Sequence, residues 1–521
     1  MIRDELVEQL DGDFDVLIVG GGATGLGTAV DAVTRGYRTA LVEASDFAKA
    51  TSSRSTKLVH GGVRYLEKGD IGLVREALHE RSNLRRNAPH LVDQLGFVLP
   101  LYRWHEGPYY FTGLKAYDLL AGKSNFPASR YLSRKATLER VPDLRSSGLH
   151  GSIMYYDGQF DDARLALTLA RTALDHGATV LNYVRALRFV YAGGRAAGAV
   201  VRDTETGREY EVRAKVVVNA TGIFVDELRK LDDPAAVPVL SHSRGSHVVF
   251  ARDRFRGDDA LLVPKTRDGR VLFAVPWHGH VVVGTTDIPV ETTELDVSPT
   301  RAEVDFIISE VNRYLERPVA RKDALAAFAG LRPLVSGKAA TTAKLSREHF
   351  IEVSQSGIVT ITGGKWTTYR KMAEDTMDTA ARTGGLTASP SRTATLPLHG
   401  SPGETAHPSD VGYGSYGRDR EQLLALERAD PTLSAALDSR LPYTRAEVVF
   451  AARSEMARTV DDVLARRTRA LFLDIEATRA AAREVATLLA AELGRDATWQ
   501  TEQLAAFEGI VAQDAAPISS L

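Results

Sequence analysis

Residues 14–19 form an apolar run broken only by Asp15, and the run stops at Gly20-Gly21-Gly22. A second run, Ala40-Leu41-Val42, stops at Glu43. Short apolar runs bounded by turn residues predict strands buried on both faces. The small-residue stretch between them, about residues 26–35, predicts a helix, so the chain opens with a strand–helix–strand unit. Residues 70–95 predict a helix with Leu73, Ala77, Leu84 and Leu91 on its buried stripe. Residues 100–131 are aromatic and broken by Pro100, Gly107, Pro108 and Pro127. A helix over 161–176 and a strand over 178–181 follow, then hairpins turning at Gly193-Gly194 and Gly207. Val216-Val217-Val218 runs as a buried-type strand into Asn219-Ala220-Thr221-Gly222. Strands and turns alternate over 245–290, clearest at 281–284. The last strand, 358–362, closes at Gly363-Gly364, and a helix over about 367–383 ends at Gly384-Gly385. Residues 385–415, rich in Pro, Gly, Ser and Thr, predict a linker. Beyond it Val448, Ala452, Met456, Val460 and Leu464 recur every four residues, as one helical face of a separate helical domain.

The bulk composition narrows the classes. A chain of 521 residues predicts two or three domains. Apolar residues at 44% beside 25% charged ones are those of a soluble globular protein with substantial cores. A formal net charge of −2 argues against a nucleic-acid partner. There is no cysteine, which excludes disulfides, thiolate metal sites, iron–sulfur clusters and a cysteinyl cofactor link. That fits a reducing cytosol. Residues 1–13 are acidic, unlike a signal peptide, and no apolar run reaches the roughly 18 residues of a membrane span. No His/Asp/Glu spacing suits a metal, so no metal is expected, and no G-x-S-x-G or P-loop motif occurs.

The first glycine cluster carries the chemistry. Gly20, Gly22 and Gly25 fit G-x-G-x-x-G between strand and helix. The first glycine makes a tight turn, the second admits a pyrophosphate, and the third lets helix and strand pack closely. The helix N-terminus offers N–H groups to the phosphates. Glu43 ends the second strand, where a carboxylate accepts bonds from a ribose hydroxyl. This fingerprint suits NAD or FAD. FAD is favoured because no second fingerprint follows, while Gly363-Gly364-Lys365 opens a late helix whose N-terminus suits the flavin N1–C2 edge.

The block Thr51-Ser52-Ser53-Arg54-Ser55-Thr56-Lys57-Leu58-Val59-His60-Gly61-Gly62-Val63-Arg64-Tyr65-Leu66 closely resembles one in the FAD-dependent, aerobic-type sn-glycerol-3-phosphate dehydrogenases. Gly245-Ser246-His247, residues 283–287, residues 330–334, residues 363–370 and residues 456–467 also resemble that family's motifs, in its order. The resemblance covers nearly the whole chain. It implies an α/β fold: a Rossmann-like FAD-binding domain interleaved with a mixed-sheet α+β substrate domain, plus an all-α C-terminal domain. The oxidoreductase region would span 1–395, with FAD-binding parts about 12–70, 150–230 and 350–384 and substrate parts about 71–149 and 231–349. The helical domain would be 396–521. The resemblance further implies oxidation of sn-glycerol 3-phosphate to dihydroxyacetone phosphate, with electrons passed to membrane quinone. One departure is Trp366, where many relatives carry leucine.

Roles follow residue by residue. A phosphate dianion calls for arginine forks, and the resemblance points to Arg64 and Arg332, with Tyr65 donating a further bond. Loss of the C2 hydroxyl proton calls for a base near neutral pKa. His247 is the first candidate and His60 the second, while Arg332 is a candidate stabiliser of the developing alkoxide. Thr51, Ser52, Ser53 and Ser55 offer hydroxyls and N–H groups to the cofactor, and Lys57 a hydrogen bond to the flavin. Leu58, His60, Gly61 and Gly62 of the same block join them. Ala220, Thr221 and Gly222 close the pyrophosphate side, and Val184 belongs to the same set. Gly363, Gly364, Lys365 and Thr367 line the flavin's far edge, with Lys365 and Thr285 also toward the substrate.

The stretch from Tyr102 to Tyr117, with Trp104, Tyr109, Tyr110, Phe111 and Lys115, suits either an interfacial membrane anchor or a domain core. The expected location is cytoplasmic, peripheral on the cytoplasmic face of the inner membrane, with a homodimer plausible. Three rival readings are an oxidase of the same substrate that uses oxygen and produces hydrogen peroxide, an amine or amino-acid oxidase on a related flavin fold, and a non-enzymatic flavin-bound scaffold whose C-terminal helices bind a partner.

Overall fold

The computed structural model describes residues 2–63, 66, 69–122, 126–335, 349–402 and 413–519. Two mixed sheets, of eight and ten strands among these residues, organise the molecule. The two buried apolar runs form the centre of the first. Asp13–Val19 lies between Glu209–Asn219 and Thr39–Val42, parallel to both. Thr179–Leu181 and Val359–Gly363 extend the parallel array on either side. Val16, Leu17, Ile18, Leu41, Val180, Val217, Val218 and Val359 are all fully buried, as strands covered on both faces must be. Helices Ala23–Thr34, Asp162–Asp175 and Tyr369–Thr383 share that core through Leu26, Leu169 and Met377. The expected hairpins form an antiparallel meander of Val184–Ala192, Arg195–Asp203 and Glu209–Asn219.

The second sheet contains the strands that hold His247 and Arg332. Its longest antiparallel pair joins Leu240–Ala251 to Ala324–Val335, with His247 opposite Phe328, Gly245 opposite Gly330 and Ser243 opposite Arg332. His280–Gly284 pairs with the other edge of Leu240–Ala251 and sets Gly284 opposite His247.

Several elements differ from their sequence expectation. The helix Ile71–Asn87 ends before residue 95, because the chain passes at once into strand Val92–Leu101. Its buried stripe is Val74, Ala77, Leu78 and Leu84, while Leu73 is only half-buried. Much of the proline-interrupted aromatic stretch folds as helix Glu106–Ala121. Pro108 stands in its first turn, where the missing N–H has no intrahelical partner to lose.

The positions spaced every four residues from Val448 to Leu464 are all buried but do not share one helix. Helix Arg445–Ser454 stops, Met456 turns left-handed at φ 54, and Asp462–Arg467 winds as a π-helix. Nor is the helical region set apart. Phe472, Val485 and Leu489 share one core with Val249, Val282, Ala326 and Phe328 of the second sheet. The described part of the expected linker is pinned by polar contacts. The Asn87 side chain donates to the Thr393 carbonyl, and Arg35 to that of Ser389.

Candidate functional site

The first glycine turn is built as its spacing requires. Gly20 stands at φ 116, and a Cβ there would collide with the Ala220 carbonyl. A Cβ on Gly25 would strike the carbonyl of Gly20, so helix and strand approach too closely for any side chain. Glu43 accepts the Gly21 N–H at 2.7 Å and the Ser45 N–H at 2.8 Å. Burial pushes the Glu43 carboxyl up, against those two bonds. Ser52 Oγ accepts the Ala23 N–H at 2.9 Å and so caps the first turn of the Ala23–Thr34 helix.

Gly20, Gly22, Ala23, Glu43, Ser45 and Ser52 line a cavity of about 360 Å³ that runs on to Thr51, Ala220, Thr221, Gly222, Gly363, Gly364 and Lys365, while Gly25 packs behind it. At its second glycine turn Gly363 and Gly364 are both left-handed, and a Cβ on Gly364 would strike the Met372 sulfur. Thr362 Oγ1 on the same wall is buried and has no hydrogen-bond partner among the described residues. Trp366 ties the second glycine turn to the Thr51–Ser53 turn: its indole N–H donates to the Ser52 carbonyl at 2.9 Å, and Phe160 and Tyr369 meet it edge-on. Backbone bared by glycine at both ends, an acid at a strand end and an unpartnered hydroxyl fit a dinucleotide. The second turn, opening the Tyr369–Thr383 helix, suits FAD.

The block after Ser52 behaves differently from its expected role. Lys57 does not reach the cavity. Its ammonium is fully buried against Asp162 at 2.8 Å and the Ser53 carbonyl at 2.8 Å, among the rings of Trp277 and Phe328. Burial lowers it to about 7 although Asp162 opposes the shift. Ser55 gives both its N–H and its hydroxyl to Asp162, and Ser53 Oγ is buried away from the wall. Leu58 pairs with Gln159 in the second sheet. The Gly61 N–H donates to the Tyr117 hydroxyl at 2.8 Å, and Gly62 makes a left-handed turn. The His60 N–H donates to Thr367 Oγ1 at 3.2 Å, which ties this block to the second glycine turn. Val184 acts from behind, its N–H on the Glu43 carbonyl.

In the second sheet, strand pairing brings His247, Arg332 and Thr285 together. Arg332 donates to Thr285 Oγ1 and to the Thr286 carbonyl, both at 3.0 Å, with Asp287 at 3.4 Å. His247 is sandwiched: its ring stacks on Phe328 at 4.8 Å, and Gly284 covers the other face so closely that a Cβ there would overlap the imidazole. Its Nε2 lies 3.0 Å from Thr56 Oγ1. Its buried Nδ1 has no hydrogen-bond partner among the described residues. Burial, then the charges of Lys57 and Arg332, hold it well below the ordinary histidine value. Neither His247 nor Arg332 forms the cavity wall itself, whereas Pro333 and Lys365 do. Arg64 and Tyr65 lie outside the described residues.

Sequence reasoning missed Asp162, Thr56, Thr362 and the buried Arg469, which donates to the Ser53 carbonyl and Asp162. Asp162 opens a helix, so its sequence context reads as an ordinary first-turn acid. Among the described residues no helix is long and apolar enough to cross a membrane, and no acidic or histidine cluster is placed to hold a metal.

Comparison with known proteins gives the family. The family described as FAD dependent oxidoreductase matches residues 15–370, and the one described as the C-terminal domain of alpha-glycerophosphate oxidase matches residues 359–500. The mitochondrial glycerol-3-phosphate dehydrogenase of Rattus norvegicus is 43% identical over 94% of this chain and 72% of its own length. The mitochondrial glycerol-3-phosphate dehydrogenase SDP6 of Arabidopsis thaliana is 41% identical over 94% of this chain and 84% of its own. The X-ray structure of a glycerol-3-phosphate dehydrogenase from Bacillus halodurans complexed with FAD superposes with a TM-score of 0.81 at 29% identity, covering 100% of this chain and 99% of that one. The chain belongs to the FAD dependent oxidoreductases, in the glycerol-3-phosphate dehydrogenase family.

Proposed function

We propose that this protein oxidises sn-glycerol 3-phosphate to dihydroxyacetone phosphate, with FAD held in the glycine-lined cavity. The observation that carries the reading is the convergence of two sheets on one place. The cavity between the glycine turns ends at Pro333, and the next residue back, Arg332, shares its sheet with His247. When bound, FAD supplies a two-electron hydride acceptor and the route of both electrons to a membrane quinone. The residues do the rest. Arg332 binds the anionic substrate through its guanidinium, with Arg64, Tyr65 and Lys365 completing the phosphate grip. His247, neutral because burial and neighbouring cations disfavour its protonation, takes the C2 hydroxyl proton as the C2 hydride departs. Gly20, Gly22, Glu43, Ser52, Thr221 and Gly363 hold the cofactor. Thr56 orients the histidine ring.

The acceptor reading brings the protein to a bilayer surface, as a peripheral protein on the cytoplasmic face of the cell membrane. Helix Glu106–Ala121 supports it. Leu114 and Tyr117 face inward, while Tyr109 and Leu119, at 62% and 82% exposure, point out beside Trp104 at 80%. Aromatic and aliphatic side chains in solvent beside Arg103 and Lys115 suit an interface of headgroups and acyl chains.

The test is anaerobic reduction by sn-glycerol 3-phosphate, followed by the flavin's visible absorbance. Rapid bleaching is expected. A flavin bleached by dithionite but not by this substrate would sink the assignment, and bleaching by glycine or sarcosine would move it to amine chemistry. Oxygen uptake without added acceptor, with peroxide formed, would replace the dehydrogenase with an oxidase.

A further inference from the structure

The cofactor loop, residues 44–53, is short of its own support. Ala44, Ser45, Ala48, Lys49, Thr51 and Ser52 line the cavity, yet the loop has one short 3-10 turn, Thr51–Ser53, and a non-glycine residue, Ala48, in the left-handed region. Glu43, Gly21 and Ala23 hold it from near by, and Asp296 meets Lys49 at 3.2 Å, but its buried charged anchors come from far along the chain. Asp46 is fully buried and receives Arg466 Nε at 2.5 Å, Arg467 Nη2 at 2.9 Å, a second contact from Arg467 Nη1, and Asn182 at 3.0 Å. Lys49 meets Asp461 at 2.8 Å. The Ser53 carbonyl receives Arg469 at 2.6 Å and Lys57 at 2.8 Å.

Four anchoring residues, Asp461, Arg466, Arg467 and Arg469, thus fall on one stretch, residues 461–469, of the C-terminal helical region. Its backbone is wound to deliver them. The π-helical turn Asp462–Arg467 and the left-handed Arg469, at φ 67, aim consecutive arginines at one loop. Burying so many charges is a poor way to gain stability, since apolar packing of the same volume does as well or better. Charge-assisted bonds do fix direction, because the guanidinium fork accepts a carboxylate in few orientations.

We infer that the C-terminal helical region is a positioning element for the cofactor: its segment 461–469 clamps the loop 44–53 and sets the shape of the FAD cavity from behind. Asp46, Asp461, Arg466, Arg467 and Arg469 are positioning residues, acting through Ser45, Ala48, Lys49 and Ser52. The inference rests on the assignment of this cavity to FAD.

The test uses the full-length protein stripped of flavin. FAD is titrated back and its dissociation constant is read from flavin fluorescence, alongside the thermal midpoint of the flavin-free protein. Two variants are compared with the parent. Asp461→Asn loosens the Lys49 and Arg466 contacts at the edge of the cluster. Arg467→Lys removes the fork at its centre, and if it fails to fold Asp461→Asn alone decides the outcome. The expected result is an FAD dissociation constant raised about tenfold in Asp461→Asn, the size of one lost charge-assisted bond, beside a flavin-free midpoint lowered because the same bond holds the loop without flavin. Limited proteolysis of flavin-free Asp461→Asn is expected to cut within 44–53 faster than in the parent. Unchanged FAD affinity and unchanged cutting, whatever happens to the midpoint, would overturn the inference. A parent protein that takes up no FAD would overturn the cofactor assignment itself, and the inference with it.

Discussion

Arg332 lays its guanidinium across the bare Cα of Gly245, on the neighbouring strand, and a Cβ at that glycine would overlap the charged group. The glycine therefore gives the arginine its seat. From that seat Arg332 reaches Thr285 and the Thr286 carbonyl. Gly245→Ala is expected to displace the fork without removing it. Arg332→Lys keeps the charge but loses the fork. Each should raise KM for sn-glycerol 3-phosphate by about one to two orders of magnitude, the worth of one charged hydrogen bond, with FAD content unchanged. Steady-state kinetics on flavin-replete protein check this.

His247 supplies a pH prediction. The base form is the neutral ring, and its folded pKa lies well below 6.5, so the base form is present above that low value and lost as pH falls through it. The acid limb of kcat/KM is expected below pH 6.5. His247→Asn should lower kcat by about 10²- to 10⁴-fold, the usual contribution of a general base. An acid limb at or above the ordinary histidine value would assign the proton transfer elsewhere, with His60 next in line.

Trp366 joins the second glycine turn to the loop 44–53 through its bond to the Ser52 carbonyl. Trp366→Phe keeps an aromatic ring and removes the donor. FAD affinity should weaken by about fivefold, for a net loss near 1 kcal/mol. Isothermal titration with FAD measures it, and an affinity equal to the parent's would reduce the indole to a wall of the cavity.

Membrane attachment is tested on the outward residues. Trp104→Ser, Tyr109→Ser and Leu119→Ser combined should leave the fold intact, because these side chains are exposed. The triple variant is expected to remain in the supernatant with anionic vesicles that pellet the parent. Co-sedimentation equal to the parent's would remove this helix from the membrane-binding surface.

His399 fastens the tether that precedes the C-terminal region. Its ring nitrogens meet Asp175 at 2.5 Å and Asp419 at 2.8 Å. Burial opposes the charge, but the two carboxylates win and push its pKa up to about 9 from 6.5. A raised folded pKa gives stability that is complete below pH 6.5 and lost as pH rises through 9. Solvent around the half-exposed Asp175 screens part of that interaction. The loss should be about 1–3 kcal/mol, and His399→Gln should flatten that part of the thermal midpoint against pH.

Much of the nucleotide half was legible because its signals are local. The apolar runs ending at Gly20 and Glu43, and the strand ending at Gly363, each announce an element and its terminus within a few residues. The substrate half was less so. Ala324–Val335 went unread as a strand because its alanines and Gly330 lack β-branched character, and its place is set by Leu240–Ala251 lying beside it. The inward turn of Lys57 was hidden for a similar reason. Its partner Asp162 opens a helix far along the chain, and the rings that enclose it come from Trp277, Phe328 and Phe472. An ion pair between distant segments leaves no periodicity. The spacing from Val448 to Leu464 identified buried positions correctly, but it could not register the left-handed Met456 that splits the helix.

The antiparallel register of Leu240–Ala251 against Ala324–Val335 also sets when the proposed catalytic pair can come together during folding. His247 and Arg332 reach it from distant parts of the chain, so no early local structure holds them together. Slippage by one residue would turn the two side chains to opposite faces of the sheet. Non-local strand pairing is slow because the loop must close before any contact rewards it. Recovery of turnover after dilution from denaturant should therefore lag behind the return of helical circular dichroism, and it would serve as a clock for this single strand pairing.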